Sequence, residues 1–140
     1  MLITRATRHD KQDLEEFYAA NDWEDPHLAE GVSFVAREGA VQGALSLIEL
    51  EPQTVLIEDV LVAPERRGNG LGTQLMQAAM NSRGGTMFLC CHSERLPFYN
   101  RLGFSDVPFE ELPEPVQKFM RDNDAFPFTP DHVHFFMKAR

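Results

Sequence analysis

Cysteine is scarce in this chain. Its two cysteines, Cys90 and Cys91, are adjacent, and neighbouring strand residues point to opposite faces, which strains any bridge between them. With no CxxC pair and no secretory framework, a reducing compartment is expected. Positive charge is also short: 13 Lys and Arg face 22 Asp and Glu, a formal net charge of -9. That balance argues against nucleic acid as a partner, because phosphate backbones demand a basic surface. It is compatible with an amine-bearing substrate. Long apolar runs are missing too, since no window approaches the ~20 residues of a membrane span. The amino terminus, MLITRATRHDKQ, is already charged at Arg5 and has no apolar signal core. A cytoplasmic protein without a membrane partner is expected. Against these absences stand 140 residues, 43% of them hydrophobic and 25% charged, which fit one globular domain over 1–140.

Periodicity orders the elements. Residues 2–7 alternate as a short strand; Asp10 can cap a helix whose Leu14, Phe17 and Tyr18 share one face, with Asn21 as its stop. Trp23 to Glu30 reads as a turn or short helix, and Gly31 to Arg37 and Val41 to Leu50 as a hairpin about Glu38-Gly39. Thr54 to Val62 is a mostly apolar strand, of the kind covered on both faces. After the loop Ala63 to Asn69, Leu71, Leu75, Ala78 and Ala79 form a helical stripe that Gly84-Gly85 should end. Thr86 to Cys91 is a strand; Ser93 or Glu94 to Leu102 a short helix, with Pro97 near its first turn and Gly103 at its end; Phe104 to Val107 a brief strand. A proline-rich stretch over 108–130 holds a helix from Glu114 to Arg121, and His132 to Lys138 closes as an edge or swapped strand. Interleaved strands and helices give the class α/β or α+β with a mixed sheet.

The most informative stretch is IEDVLVAPERRGNGLGTQLM, residues 57–76. A buried strand enters a glycine-rich loop that opens directly onto a helix. Gly68, Gly70 and Gly72 let the backbone approach a ligand with no Cβ in the way. The first N–H groups of the helix lack intrahelical partners and carry partial positive charge. They suit a pyrophosphate, to which Arg66 and Arg67 could add charge-assisted bonds. Other phosphate motifs fit poorly. No lysine follows the glycines as a P-loop requires, and Thr73 occupies the third glycine position of a dinucleotide fingerprint.

The run Arg67-Gly68-Asn69-Gly70-Leu71-Gly72 resembles the R/Q-x-x-G-x-G/A signature of the GNAT (general N-acetyltransferase) superfamily, and Val60-Leu61-Val62-Ala63-Pro64 resembles the strand end before it. Pro97-Phe98-Tyr99-Asn100-Arg101-Leu102-Gly103-Phe104 resembles the family's second motif, FYxxxGF, roughly 30 residues downstream. The resemblance implies a mixed, mostly antiparallel twisted sheet of about six or seven strands flanked by about four helices. It implies acetyl-CoA as co-substrate, with backbone amides from Arg67 through Gly68, Asn69, Gly70, Leu71 and Gly72 to Thr73 holding its pyrophosphate. Leu61 and Val62 would pair with pantetheine like an added strand, and Tyr99 would protonate the departing sulfur.

Direct acetyl transfer to a primary amine also needs that amine neutral. Glu58 and Asp59 interrupt the apolar strand, and a carboxylate buried there is either paired or raised in pKa. A raised one suits proton removal from an ammonium, and Glu58 is the favoured base over Asp59 and His92. The reading against it is a structural partner for an arginine, or a residue emerging at a bulge. A backbone N–H near Val62 would stabilise the oxyanion. No metal is expected: His132 and His134 share a strand face but lack a third ligand. Cys90 and Cys91 read as core packing rather than nucleophiles. The acceptor is read as a small-molecule amine or amino acid, since the tail after Glu110-Glu111-Leu112-Pro113 resembles amino-acid N-acetyltransferases of the glutamate-acetylating type. Arg37, Arg95 or Lys118 would then meet its carboxylate. The alternatives are acetylation of protein amino termini or lysines, or a catalytically silent acyl-CoA-binding module. Phe109, Phe119, Phe126 and Phe128 would form either a lid over the acceptor or a homodimer contact.

Overall fold

A computed structural model of the chain describes residues 1–123, 125–127, 129 and 133–140. In chain order the elements are β1 (Leu2–Arg5), α1 (Lys11–Ala20), β2 (Val32–Glu38), β3 (Ala40–Glu51), β4 (Thr54–Val62), α2 (Leu71–Asn81), β5 (Thr86–Cys91), α3 (Leu96–Arg101), β6 (Ser105–Asp106), α4 (Glu114–Asp122) and β7 (Phe135–Ala139). The strands hydrogen-bond in the order β1-β2-β3-β4-β5-β7-β6. Pairing is antiparallel in β1/β2, β2/β3, β5/β7 and β6/β7, and parallel in β4/β5. The sheet is thus mixed and mostly antiparallel, with four α-helices among the described residues. By contacts the chain divides into two compact units, Met1–Ile48 with Ile57–Arg83 and Glu49–Leu56 with Gly84–Arg140.

In the first unit both faces of the β2/β3 ladder are covered. Leu14, Phe17 and Tyr18 of α1 pack with Val35, Ala44, Leu61 and Ala63, while α2 lies against β1 and β2. The register explains the division: Val35 opposes Ala44 on the α1 side, and Ala36 opposes Gly43 one residue on. At Gly43 a Cβ would stand 2.8 Å from Leu75 Cδ1, so the missing side chain lets α2 sit close. Two-sided burial is why these strands read as nearly continuous apolar runs. A tighter constraint lies at Gly31, where a Cβ would come within 2.1 Å of the Leu47 carbonyl oxygen. Gly31→Ala is therefore expected to cost about 1–3 kcal/mol by overpacking against rigid backbone. A lowered urea midpoint at unchanged slope would show it; an unchanged midpoint would refute the contact.

The opening of α1 differs from expectation. Asp10 stands at the N-cap of α1 but makes no side-chain cap bond there; one turn earlier, Thr7 Oγ1 accepts from His9 N–H and Asp10 Oδ2 accepts from Thr7 N–H at 2.8 Å, a capping box on a 3-10 turn over Arg8–Asp10. Asp10 also accepts from Arg37 at 2.8 Å. The Thr7 backbone bond, then Arg37, hold its carboxyl below the usual range. The residues between α1 and β2 form irregular turns rather than a helix.

In the second unit, Thr54–Leu56 of β4 run parallel to Thr86–Phe88 of β5. The Gly84-Gly85 pair does not end α2, which stops at Asn81 with Ser82 as its cap. Gly85, at φ 100, serves the strand instead: Thr86 N–H bonds to the Gln53 carbonyl at 2.9 Å, and a Cβ on Gly85 would stand 3.0 Å from Gln53 backbone. β7 corrects a second expectation. It lies between β5 and β6 rather than at an edge, with Phe136 and Met137 buried. All five of its residues pair with β5, and on the other side Met137 and Lys138 pair with the short β6. The chain returns to it after β6 and α4. That return contributes to the core: Phe109, Leu112, Val116, Phe119 and Met120 are buried, and Arg121 sits 5.1 Å over the Phe109 ring. Phe109 and Phe119 are thus buried, Phe126 is half-buried with its ring 3.8 Å from that of Phe109, and Phe128 lies outside the described residues.

Candidate active site

The glycine loop belongs to the first unit. After β4, Pro64–Arg66 make a 3-10 turn, and the chain passes through Gly68 at φ 84 and Gly70 at φ 81 before α2 begins. Both positions lie in the left-handed region that favours glycine, and a Cβ at either would meet nothing within 4 Å. The glycines are thus needed for the path of the chain and leave open space above it. No side chain caps α2, and no acidic residue lies in its first turn. The first helical bond joins Gln74 N–H to the Gly70 carbonyl, so the amides of Leu71, Gly72 and Thr73 precede the intrahelical ladder and carry the positive end of the dipole. Asn69 is exposed beside them, whereas the Leu71 side chain is buried.

The two arginines part company. Arg66 is engaged within the protein, bonded to Glu38 Oε1 at 2.9 Å and to Gln42 Oε1 at 3.3 Å. Its ion pair holds the Glu38 carboxyl below its usual range, so Arg66 is not a free anion ligand here. Arg67 donates Nε to the Val62 carbonyl at 3.1 Å and is otherwise exposed. Ala63 N–H bonds to Gln42 of β3. The two-residue alternation of a strand then turns the Leu61 backbone toward β3 and the Val62 backbone away from it. The Leu61 side chain is buried in the α1 core.

Upstream on β4 the two carboxylates have different surroundings. Asp59 takes φ 56 within the strand and is 8% exposed. Its carbonyl accepts the Tyr18 hydroxyl at 2.6 Å, Oδ1 accepts Trp23 Nε1–H at 2.9 Å, and Oδ2 accepts His27 N–H at 2.7 Å, with His27 Nδ1 3.2 Å away. Burial, then the Asp59 charge, raise the Tyr18 phenol far above its ordinary value. Glu58 is half-buried and has no hydrogen-bond or ion-pair partner among the described residues. Burial, then the negative charge of Asp59, push its carboxyl up to about 7; His27 opposes them, and Glu30 adds a smaller upward push. Tyr18, Trp23 and His27 were not singled out from the sequence as site residues. For Trp23 and His27 the signal was available only as an indole and an imidazole set in an irregular acidic segment just after the α1 face, and Tyr18 read as one of that face's core residues.

In the second unit, Tyr99 lies on α3 and is 7% exposed. Its ring meets Phe98 and Phe104 edge-on, with centroids 5.0 and 6.0 Å apart. The FYxxxGF pattern has a local cause: Gly103 at φ 97 reverses the chain, so that Phe104 N–H bonds back to the Tyr99 carbonyl at 3.1 Å and its ring returns onto the tyrosine. His92 is exposed, with its ring 4.8 Å from that of His134; His132 lies outside the described residues. Among those described, no group of three His, Cys, Asp or Glu could hold a metal. Cys91 is buried, with Sγ 3.9 Å from Met137 Sδ, and burial, then Asp106, push its thiol up to about 11. It is no thiolate nucleophile at neutral pH. Of the cations considered for a substrate carboxylate, Arg37 is held by Asp10 and Asp13 and Lys118 by Asp122. Arg95 is exposed and has no such partner among the described residues. Among those residues no helix is long and apolar enough to cross a membrane.

A family model for the acetyltransferase (GNAT) domain matches residues 29–106. Among solved structures the chain is similar to ElaA of Escherichia coli, at 13% identity over 99% of each chain with a TM-score of 0.74. It is similar to an aminoglycoside 6′-N-acetyltransferase solved with coenzyme A, at 18% identity over 99% of this chain and 96% of that one, TM-score 0.71. It also resembles the N-acetylglutamate synthase of Neisseria gonorrhoeae solved with coenzyme A and N-acetyl-glutamate, at 15% identity and TM-score 0.67. There it covers 100% of this chain but 35% of the other. At these identities the structural likeness is one of fold.

Proposed function

The chain belongs to the GNAT acetyltransferases, and from that premise we propose that it moves an acetyl group from acetyl-CoA directly to a primary amine, a small molecule or amino acid. The observation that carries this reading is the uncapped amino terminus of α2 behind two left-handed glycines. Amides already oriented outward, without a competing side chain, give a diphosphate fixed donors at no reorganisation cost. The proposed holders are the backbone from Arg67 to Thr73, with the Arg67 guanidinium adding charge, and the Val62 N–H, on the side turned away from β3, pairs with the pantetheine as a strand would. The co-substrate supplies the activated acetyl thioester.

The remaining work falls to the chain's own side chains. Glu58, with its carboxyl near 7, takes a proton from the incoming ammonium at neutral pH, directly or through water. Tyr99, a phenol that stays protonated at that pH, donates to the departing sulfur. A single domain over 1–140 performs the reaction. The N-acetylglutamate synthase among the similar folds supports an amino-acid acceptor, with Arg95 as the cation available to its carboxylate.

A thermal-shift panel tests the cofactor. Acetyl-CoA at 100 times its dissociation constant should add about 2.7 kcal/mol of stability, and nucleotides lacking pantetheine much less. Stabilisation by NAD or ATP instead would overturn the reading. Thiol release from acetyl-CoA across a library of amines then identifies the acceptor.

A further inference from the structure

Two acids are adjacent on β4, and the proposed reaction uses only one. The other, Asp59, stands in a left-handed conformation inside an apolar strand. That conformation costs an ordinary L residue about 1–2 kcal/mol and is less unfavourable for aspartate. Its polar partners are Tyr18 from α1 and Trp23 and His27 from the irregular stretch that follows α1. They are 41, 36 and 32 residues away in sequence. The carboxylate thus tethers residues 21–30, which have no helix or strand of their own, to the middle of β4. Glu58, next to it, keeps no partner among the described residues.

We propose that Asp59 is a positioning residue for the transfer: by holding Trp23 and His27 it fixes residues 21–30 as a wall beside Glu58, and it leaves Glu58 as the unpaired acid of the two. The inference rests on Glu58 being the base. Two carboxylates with different environments have different roles: one is bound to N–H donors and stays fixed, the other is left to exchange a proton. The charged groups bearing on Glu58 are Asp59 and Glu30, which favour its protonated form, and His27, which opposes it. Asp59 and His27 therefore act on Glu58 with opposite signs while belonging to one tether.

The test is a carbon-13 titration of the Glu58 carboxyl in ligand-free protein labelled at glutamate, with the signal assigned by its loss in Glu58→Gln. Asp59→Asn should move the Glu58 titration down by about one pH unit, because a like charge is removed. His27→Ala should move it up. Tyr18→Phe, which loses only the bond to the Asp59 carbonyl, should leave it in place. Trp23 is the chain's single tryptophan, so its fluorescence reads the tether directly: Asp59→Asn should shift its emission to the red and open it to acrylamide. Titrations that stay put in both charge variants, or move the same way, overturn the proposal, as does unchanged Trp23 emission. Should Asp59→Asn fail to fold, His27→Ala alone still decides by the sign of its shift. Failure of the base assignment looks different: Glu58→Gln would then turn over acetyl-CoA and amine normally, whatever the titrations do.

Discussion

Glutamine in place of Glu58 should make the protein more stable at pH 8 and nearly inactive. The folded state raises this carboxyl from about 4.5 to about 7, so between those values folding takes up a proton. Stability is then greatest below the unfolded value and declines as pH rises through 7. The full linkage is about 3 kcal/mol; Glu58 is half-buried, and solvent screening reduces it to about 1–3 kcal/mol. Glutamine fills the same volume without a charge to desolvate. The melting temperature of Glu58→Gln should exceed that of the parent by roughly 4 °C for each kcal/mol at pH 8, and the two should converge at pH 4.5. A gain of equal size at both pH values would mean that charge is not its cause. Activity should respond inversely. Loss of a positioned base costs about 10²–10⁴-fold in kcat/KM, and the acidic limb of the parent profile, expected near pH 7, should disappear. Stability withheld from the fold would in this way be spent on chemistry.

Tyr99→Phe should lower kcat by about 10²-fold, the lower end for a proton-transfer group, while changing acetyl-CoA affinity less than twofold. The substitution keeps the ring and its edge-on contacts with Phe98 and Phe104, and the turn at Gly103 depends on the Tyr99 backbone rather than its hydroxyl. The fold should therefore survive, as circular dichroism would show. A drop in kcat at constant dissociation constant marks an interaction made only as the bond breaks. Unchanged turnover would remove Tyr99 from the mechanism. If no amine supported turnover in the parent either, a silent acyl-CoA-binding module would be the better description.

How far the sequence could be read differs from element to element. Thr54–Val62 and Thr86–Cys91 were legible to the residue, because an apolar run bounded by turn residues is a local signal. Asp10 does stand at the boundary of α1, but its carboxylate turns back to the Thr7 N–H, so the side-chain capping lies on a 3-10 turn that no periodicity announces. Gly84-Gly85 looked like a helix stop, and its reason instead is the Gln53 turn against which Gly85 packs. Arg66 looked like an anion ligand until Glu38 and Gln42 were found on it.

The sequence by itself determined the glycine loop, the helix it opens and the FYxxxGF turn, because each depends on backbone torsions and hydrogen bonds spanning only a few residues. The tertiary structure alone decided that β7 lies between β5 and β6 and that Asp59 is bound by Tyr18, Trp23 and His27. It also decided that Glu58 is the one of these two carboxylates with no partner among the described residues. Those outcomes depend on which distant groups share a low-dielectric space, and charges separated by thirty or more residues interact only once the chain has closed around them.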